Sequence, residues 1–381
     1  MRSGRSLRAV ATQFGVSLGG VTYWVARARG RRLDRVAFAN RKPGRASNRS
    51  PARLEQRILS TRMALRDKSV LGEYGPDAIR AALQEGRTTQ LLPSRTTIYR
   101  VLARHGALDG VHRQRRPAPP KGWYLPDLAA GQAELDSFDF IEDLKIAGGP
   151  LVDVLTATSL HGALTEAWVM EHSSARAALQ ALLEHWRREG LPTYAQFDND
   201  TIFQGAHHFA DAVGRISRLC LALGVVPVFA PPREPGFQNA IEGFNALWQS
   251  KVWQRHHCPD VATLQAVSAR YIAAYRAKTA TRRESAPRRR SFPKTFKLKL
   301  AAPLKGTMIF VRRSDDNGSV NLLGRTFPVD QHWPHRLVRC EVDFTHQRIR
   351  YYALRRREPA HQPLLRETTY ARPQKPFQGE P

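Results

Sequence analysis

Residues 196–203 read QFDNDTIF, and residues 221–249 read LALGVVPVFAPPREPGFQNAIEGFNALWQ. The short apolar run from Thr193 to Phe197 follows Gly190 and predicts a strand that delivers Asp198 at its end. A helix is expected over about 206–222, stopped by Gly224. Val225 to Phe229 reads as the next strand and leads into a Pro-rich loop. A helix from about Gln238 to His256 follows. On that helix Asn239 and Glu242 are three positions apart and share a face, while Ile241, Phe244, Trp248 and Val252 supply an adjoining apolar face that can dock on a sheet.

Working toward the N-terminus, strand-like runs stand at about 132–140, 150–158 and 164–170. Gly148-Gly149-Pro150 and His161-Gly162 provide the turns between them, which suggests an antiparallel meander. A helix from Ala175 to Arg188 ends at Gly190. The predicted order is three strands, then helix, strand, helix, strand, helix. Three carboxylates then stand where a metal site could be built: Asp136 in the first strand, Asp198 after the fourth, and Glu242 early in the last helix. Mg²⁺ or Mn²⁺ takes hard oxygen ligands, and in-line phosphodiester chemistry uses two such ions about 3.5–4 Å apart. Asp139 is a rival to Asp136. The two lie three apart on one strand and point to opposite faces, so only one can serve unless a bulge intervenes.

The net charge of the chain is +27, and it is uneven. Residues 1–120 carry +18, residues 121–270 carry −6 and residues 271–381 carry +15. Basic flanks around an acidic centre point to double-stranded DNA as partner and to carboxylate chemistry in the middle. The three cysteines, Cys220, Cys258 and Cys340, are too far apart for a CxxC zinc site and odd in number for a disulfide framework. His207-His208 and His256-His257-Cys258 have poor ligand geometry and read as solvated helix ends. The first residues lack the apolar run of an export signal and no stretch of about 18 apolar residues occurs, so the expected location is cytoplasmic and nucleoid-associated, without a membrane partner.

The expected fold class is multidomain α+β. Residues 1–50 read as a helix-turn-helix with a basic linker: Gly15 supplies the tight turn, and Ser17, Thr22 and Tyr23 would lie near a major groove. Residues 51–110 read as a second helical DNA-binding unit, with Ser94 as an N-cap and Arg95, Thr96, Thr97 and Arg100 as groove-facing candidates. Residues 111–128 form a Pro- and Arg-rich linker. Residues 129–290 are the α/β core with a mixed sheet, residues 300–356 alternate like a small β-barrel with a basic surface, and residues 357–381 are expected to be a disordered tail.

The two quoted stretches resemble the catalytic core of bacterial insertion-sequence transposases related to retroviral integrases. The Asn239-x-x-Glu242-x-Phe-Asn run is the most specific part, and the likeness covers roughly residues 130–290. It implies a ribonuclease H-like core in which Asp136, Asp198 and Glu242 hold metal. The implied activity is cleavage of transposon ends and transfer of the 3′-OH into target DNA by a homo-oligomer, with Asn239 as a further DNA contact. Glu134-Leu135-Asp136 matches the family's polar-x-Asp strand, which favours Asp136 over Asp139. The sequence departs from the pattern at Asp200, which replaces the usual Gly, and at Tyr275-Arg276-Ala277-Lys278, which replaces Asn-x-x-Arg-x-His. Those departures leave open a catalytically inactive DNA-binding regulator, and a structure-selective nuclease of the same fold is a third possibility.

Overall fold

A computed structural model describes residues 4–30, 50–85, 92–108, 121–147, 149, 151–205, 209–234 and 236–373. At the N-terminus α1 (Leu7–Phe14) and α2 (Leu18–Ala28) meet at Gly15, whose φ of 60° is the left-handed conformation glycine adopts without cost. Ser6 and Ser17 cap the two helices. Three further helices, α3 (Ala52–Lys68), α4 (Pro76–Glu85) and α5 (Arg95–Arg104), pack around Ile58, Ile79, Ile98 and Leu102. Ser94 caps α5 as the sequence suggests, accepting from the Thr97 N–H at 3.1 Å. This three-helix unit is fastened to the core by its α3–α4 turn. Arg255 Nη1 donates to the Ser69 carbonyl at 2.6 Å, Lys251 Nζ to the Gly72 carbonyl at 3.2 Å, and Lys278 pairs with Glu73.

The second half of the expected linker is not a linker. Trp123, Tyr124, Leu125 and Leu128 are buried, and Pro126–Ala129 forms the single turn α6. Four large apolar side chains outweigh the proline signal around them.

The core is a mixed sheet flanked by helices. Its strands are β1 (Leu135–Lys145), β2 (Leu151–Ser159), β3 (Thr165–Met170), β4 (Tyr194–Phe197) and β5 (Val226–Phe229). The helices are α7 (Ala175–Glu189), α8 (Thr201–Gln204), α9 (Arg215–Ala222), α10 (Asn239–Trp248), α11 (Val261–Lys278) and α12 (Ala280–Glu284). β1 pairs antiparallel with β2 and parallel with β4. One sheet face packs Phe138, Leu155 and Ala157 against Leu182 and Trp186 of α7 and Leu219 of α9. The other packs Ile141 and Val154 against Ile241, Phe244 and Trp248 of α10 and Leu264 of α11. Each such side chain contributes about 1.5–3 kcal/mol by leaving water. α10 runs on into a π-helical turn, Gln249–Trp253.

The helix expected over 206–222 is interrupted. The backbones of Gly205 and Gly214 approach so closely that a Cβ at Gly205 would stand 2.7 Å from the Gly214 nitrogen, and only α9 remains helical among the described residues.

The C-terminal strands do not close into a separate barrel. β6 (Thr307–Arg313) lies parallel to β5, and β9 (Leu337–Asp343), β10 (Arg348–Leu354) and β11 (Leu364–Thr369) follow antiparallel, giving the order β11-β10-β9-β6-β5-β4-β1-β2-β3. Among the described residues only β7 (Ser319–Leu322) and β8 (Arg325–Pro328) form a hairpin outside this sheet. Met308, Phe310, Val338, Cys340 and Tyr351 join the same apolar cluster as Phe138 and Trp186, which is why the extension shares the core. β11 falls within the expected disordered tail; its pairing with β10 gives its backbone groups partners that composition does not reveal. Residues 374–381 lie outside the described residues. The three cysteines are free and buried, and no helix among the described residues is long and apolar enough to cross a membrane.

Candidate active site

Strand register decides which acidic groups meet. Ser137 is level with Thr158 on β2 and with Gln196 on β4. Two residues further along, Asp139 is level with Thr156, and the same two-residue step on β4 reaches Asp198, just past the strand's last residue. Side chains two apart on a strand share a face. Thr156, Asp139 and Asp198 therefore form one row across three strands. α10 crosses this row. Asn245, 7% exposed, donates from Nδ2 to Asp139 Oδ2 at 2.8 Å and accepts from Thr156 Oγ1 at 2.6 Å. Glu242 is three residues before Asn245 and shares its helix face. Glu242 also lines a cleft of about 540 Å³ together with Asp198, Asn199, Asp200 and Gln238. The Gln238 amide nitrogen Nε2 is buried there without a hydrogen-bond partner among the described residues.

Asp139 carries the electrostatic signature of the row. Burial, then the Asp198 charge and, more weakly, the Glu242 charge push its carboxyl up to about 7. No basic side chain among the described residues pairs with it. Burial and the charges of Asp200, Asp153, Asp143 and Asp198 also raise Glu142, three residues further along β1.

Asp136 lies on the opposite face, as an odd number of steps along the strand requires. Its carboxylate is 0% exposed and accepts from Arg289 Nη1 at 2.8 Å and Nη2 at 2.6 Å, and from Trp186 Nε1 at 3.0 Å. Burial alone would raise its pKa, but the Arg289 charge and hydrogen bonds outweigh that and hold the carboxyl well below the usual range. The structure thus brings Asp198 and Glu242 together with Asp139 and leaves Asp136 in an ion pair behind the sheet. Arg289, at the end of the expected core, also donates to the Gly190 carbonyl at 2.9 Å, which anchors that stretch. Glu134, just before β1, accepts from the backbone N–H groups of His161 and Gly162 at 3.0 and 2.9 Å and shapes the β2–β3 turn.

Asp200, the departure from the motif, caps α8 by accepting from the Ile202 N–H at 2.7 Å, and its own N–H donates to Asp198 Oδ1 at 3.0 Å. The Asp198-Asn199 turn is held from β6. Arg312, buried on that strand, donates to Asn199 Oδ1 at 2.8 Å and to the Ala230 carbonyl at 3.3 Å, and Asn199 Nδ2 donates to the same carbonyl at 2.6 Å. Asn245 stands in the quoted motif as the i+3 neighbour of Glu242, although the sequence pointed to Asn239 instead; Arg312 and Arg289 carry no sequence signal, because both act from segments well beyond the motif.

The other candidates are on the surface. The Ser17 hydroxyl accepts from the Gly20 N–H at 3.1 Å as a cap, the Thr22 hydroxyl donates to the Leu18 carbonyl at 2.9 Å, and Tyr23 is exposed. On α5 Thr96 and Arg100 are exposed, Thr97 is engaged with Ser94, and Arg95 pairs with Asp77 at 3.0 Å. Asn239 is exposed at the start of α10.

No family model matches the chain, and no curated protein matches it. Among solved structures, a chain of the simian T-cell lymphotropic virus intasome, determined with PP2A regulatory subunit B56 gamma, is 13% identical, with 65% of this chain and 81% of that one covered and a TM-score of 0.33. The catalytic core domain of BIV integrase is 20% identical, with coverages of 35% and 80% and a TM-score of 0.26. The HTLV-2 integrase catalytic core domain in complex with magnesium is 10% identical, with coverages of 41% and 86% and a TM-score of 0.28.

Proposed function

We propose that the chain is a divalent-metal-dependent polynucleotidyl transferase of the transposase type, with Asp139, Asp198 and Glu242 as the metal-binding carboxylates. The observation that carries this is the row on β1 and β4 crossed by α10, in which Asp198 and Glu242 line one open cleft and both charges act on Asp139. Their donor chemistry fits Mg²⁺ or Mn²⁺: hard oxygens on rigid elements, with the Asp139 carboxyl raised by burial and by the charges of Asp198 and Glu242. Among the described residues no three such side chains already stand at ligand separation, so the ion is expected to draw them in. When bound it would activate the attacking oxygen and stabilise the leaving one.

This chain's own residues do the positioning. Asn245 fixes the Asp139 carboxylate, Arg312 fixes the turn that carries Asp198, and the first turn of α10 presents Glu242. The strand order β3-β2-β1-β4-β5, with β1 antiparallel to β2 and parallel to β4, is the ribonuclease H-like arrangement that the sequence resemblance implies. The helical units at 4–30 and 50–108 and the net charge of +27 supply double-stranded DNA binding. Cutting and joining two ends calls for a homo-oligomer on DNA, in a nucleoid-associated setting. The DNA contacts assigned are Ser17, Thr22, Tyr23, Arg95, Thr96, Thr97, Arg100 and Asn239.

The experiment is cleavage and joining of labelled element-end DNA with Mg²⁺ or Mn²⁺, comparing the native chain with Glu242→Gln. End-specific 3′ cleavage and joining that disappears in Glu242→Gln supports the proposal. Tight binding without cleavage by either protein contradicts it and favours a DNA-binding regulator; cleavage without joining favours a nuclease.

A further inference from the structure

The cleft that holds Asp198 and Glu242 also has a basic side chain on it. Arg233, in the loop after β5, lines the same space as those two carboxylates. The loop is clamped on both sides of Arg233. Before it, the Ala230 carbonyl accepts from Arg312 at 3.3 Å and from Asn199 at 2.6 Å. After it, the Glu234 carboxylate accepts from Arg313 Nε at 2.6 Å and from Arg356 Nη2 at 3.4 Å. Pro231 and Pro232 stiffen the backbone between those anchors. Arg233 itself stands at φ 56°, a left-handed conformation that is unfavourable for a residue with a Cβ and persists where the surroundings impose it. Its side chain is exposed and makes no hydrogen bond or salt bridge among the described residues. The acid next to it, Glu234, is already engaged by two other arginines. A fixed loop thus holds an uncommitted guanidinium on an acidic cleft. A divalent cation at the carboxylates and an anion at Arg233 would satisfy both sets of charges, and a phosphodiester is an anion that such a cation binds.

We propose that Arg233 is a catalytic residue whose guanidinium donates hydrogen bonds to the non-bridging oxygens of the phosphodiester being cut. The proposal rests on the assignment of the cleft to phosphoryl transfer. In that step the oxygen of a water molecule forms a bond to phosphorus, and the bond from phosphorus to the 3′ oxygen breaks. The water loses a proton to solvent, the 3′ oxygen takes one up and leaves as the 3′-OH, and the phosphate stays on the 5′ side of the cut. Negative charge on the non-bridging oxygens grows as the attacking bond forms. A guanidinium presents paired N–H groups that match two of those oxygens. A donor already fixed in place stabilises that charge without reorganising, and the clamps at Ala230 and Glu234 supply the fixing.

The test compares the full native chain with Arg233→Gln and Arg233→Lys. The side chain is exposed and holds nothing else in place, so both variants are expected to melt as the native chain does. On labelled end DNA with Mg²⁺, Arg233→Gln is expected to slow single-turnover cleavage about a hundredfold or more. Arg233→Lys is expected to fall between, because it keeps the charge and loses the fork. Calorimetry without DNA gives a readout apart from activity. Arg233→Gln is expected to bind Mn²⁺ about threefold or more tightly, since a like charge leaves the cleft; a merely structural role would weaken that binding. The third readout is affinity, with Ca²⁺ in place of Mg²⁺, for duplexes carrying one neutral methylphosphonate at a time. The native chain is expected to lose affinity at one linkage, and Arg233→Gln to be indifferent to that linkage. Cleavage by Arg233→Gln at the native rate, or the same linkage effect in both proteins, overturns the proposal and leaves the carboxylate assignment standing. A linkage effect confined to the native chain, with no cleavage under any metal, upholds the Arg233 contact and strikes the phosphoryl-transfer assignment instead.

Discussion

Asp136 and Asp139 are the same residue type three positions apart on one strand, and the two sides of the sheet have made them opposites. Behind the sheet, Asp136 is sealed with Arg289, Trp186 and His185, and its charge is neutralised on the spot. In front, Asp139 is partly buried among other acids and held by the neutral Asn245. A buried carboxylate with a fixed cation is a fastening of the fold. A carboxylate raised first by burial and then by like charges is, on the reading proposed here, one that would hold a positive ion.

The largest effect that separates the two faces is on activity. Asp139→Asn is expected to reduce metal-dependent DNA cleavage about a thousandfold or more, roughly 4 kcal/mol of transition-state stabilisation, while raising Tm by a few degrees because a like charge leaves the row. The next effect is on stability. Asp136→Asn leaves Arg289 buried without its partner and is expected to cost about 3–5 kcal/mol in denaturant unfolding. The double change Asp136→Leu with Arg289→Met is expected to recover much of that loss. A double variant no more stable than Asp136→Asn would show that the pair does more than neutralise itself.

Stability against pH sharpens the contrast further, because the two faces titrate in opposite senses. The folded pKa of Asp136 lies below its unfolded value, so its contribution is present above about pH 4 and is lost as pH falls below that. The folded pKa of Asp139 is raised to about 7, so the folded state holds that proton more tightly than the unfolded one, and stability declines as pH rises from about 4 to 7. Asp139→Asn should remove the second slope and leave the first, and added Mn²⁺ should flatten the second slope in the native chain. Urea midpoints measured across pH 3–8 check both.

A smaller effect is expected at one remove. Arg312→Met frees the Asn199 turn from β6 and is expected to weaken Mn²⁺ binding about 10–100-fold without removing any ligand. Calorimetric titration that finds its affinity unchanged would mean that the C-terminal half of the sheet does not position the cleft.

Much of the front face was legible in the sequence. The short apolar run ending at Asp198 and the helical period through Ile241, Phe244 and Trp248 are local signals, and the strand and the helix follow from them; the sequence paired Glu242 with Asn239, whereas Asn245 is the residue that engages Asp139. The choice between Asp136 and Asp139 was not local. Alternation shows that they diverge, but which face is the open one depends on Arg289, which arrives from 153 residues downstream. The C-terminal half failed for a related reason. The alternating residues 300–356 do form strands, as their period indicates, but period does not name a strand's neighbour. A barrel closing on itself and a sheet continuing past β5 have the same pattern; the apolar outer side of β5 and the inward side chains of β6 decide it.

The measurement that bears most directly on the carboxylate row is Mn²⁺ binding by calorimetry to the native chain, Asp139→Asn and Asp136→Asn, each confirmed folded by its cooperative melt. The account predicts that Asp139→Asn loses most of the affinity and that folded Asp136→Asn keeps it. Undiminished Mn²⁺ binding by Asp139→Asn, with loss in folded Asp136→Asn, would contradict it and put the metal on the other side of the sheet.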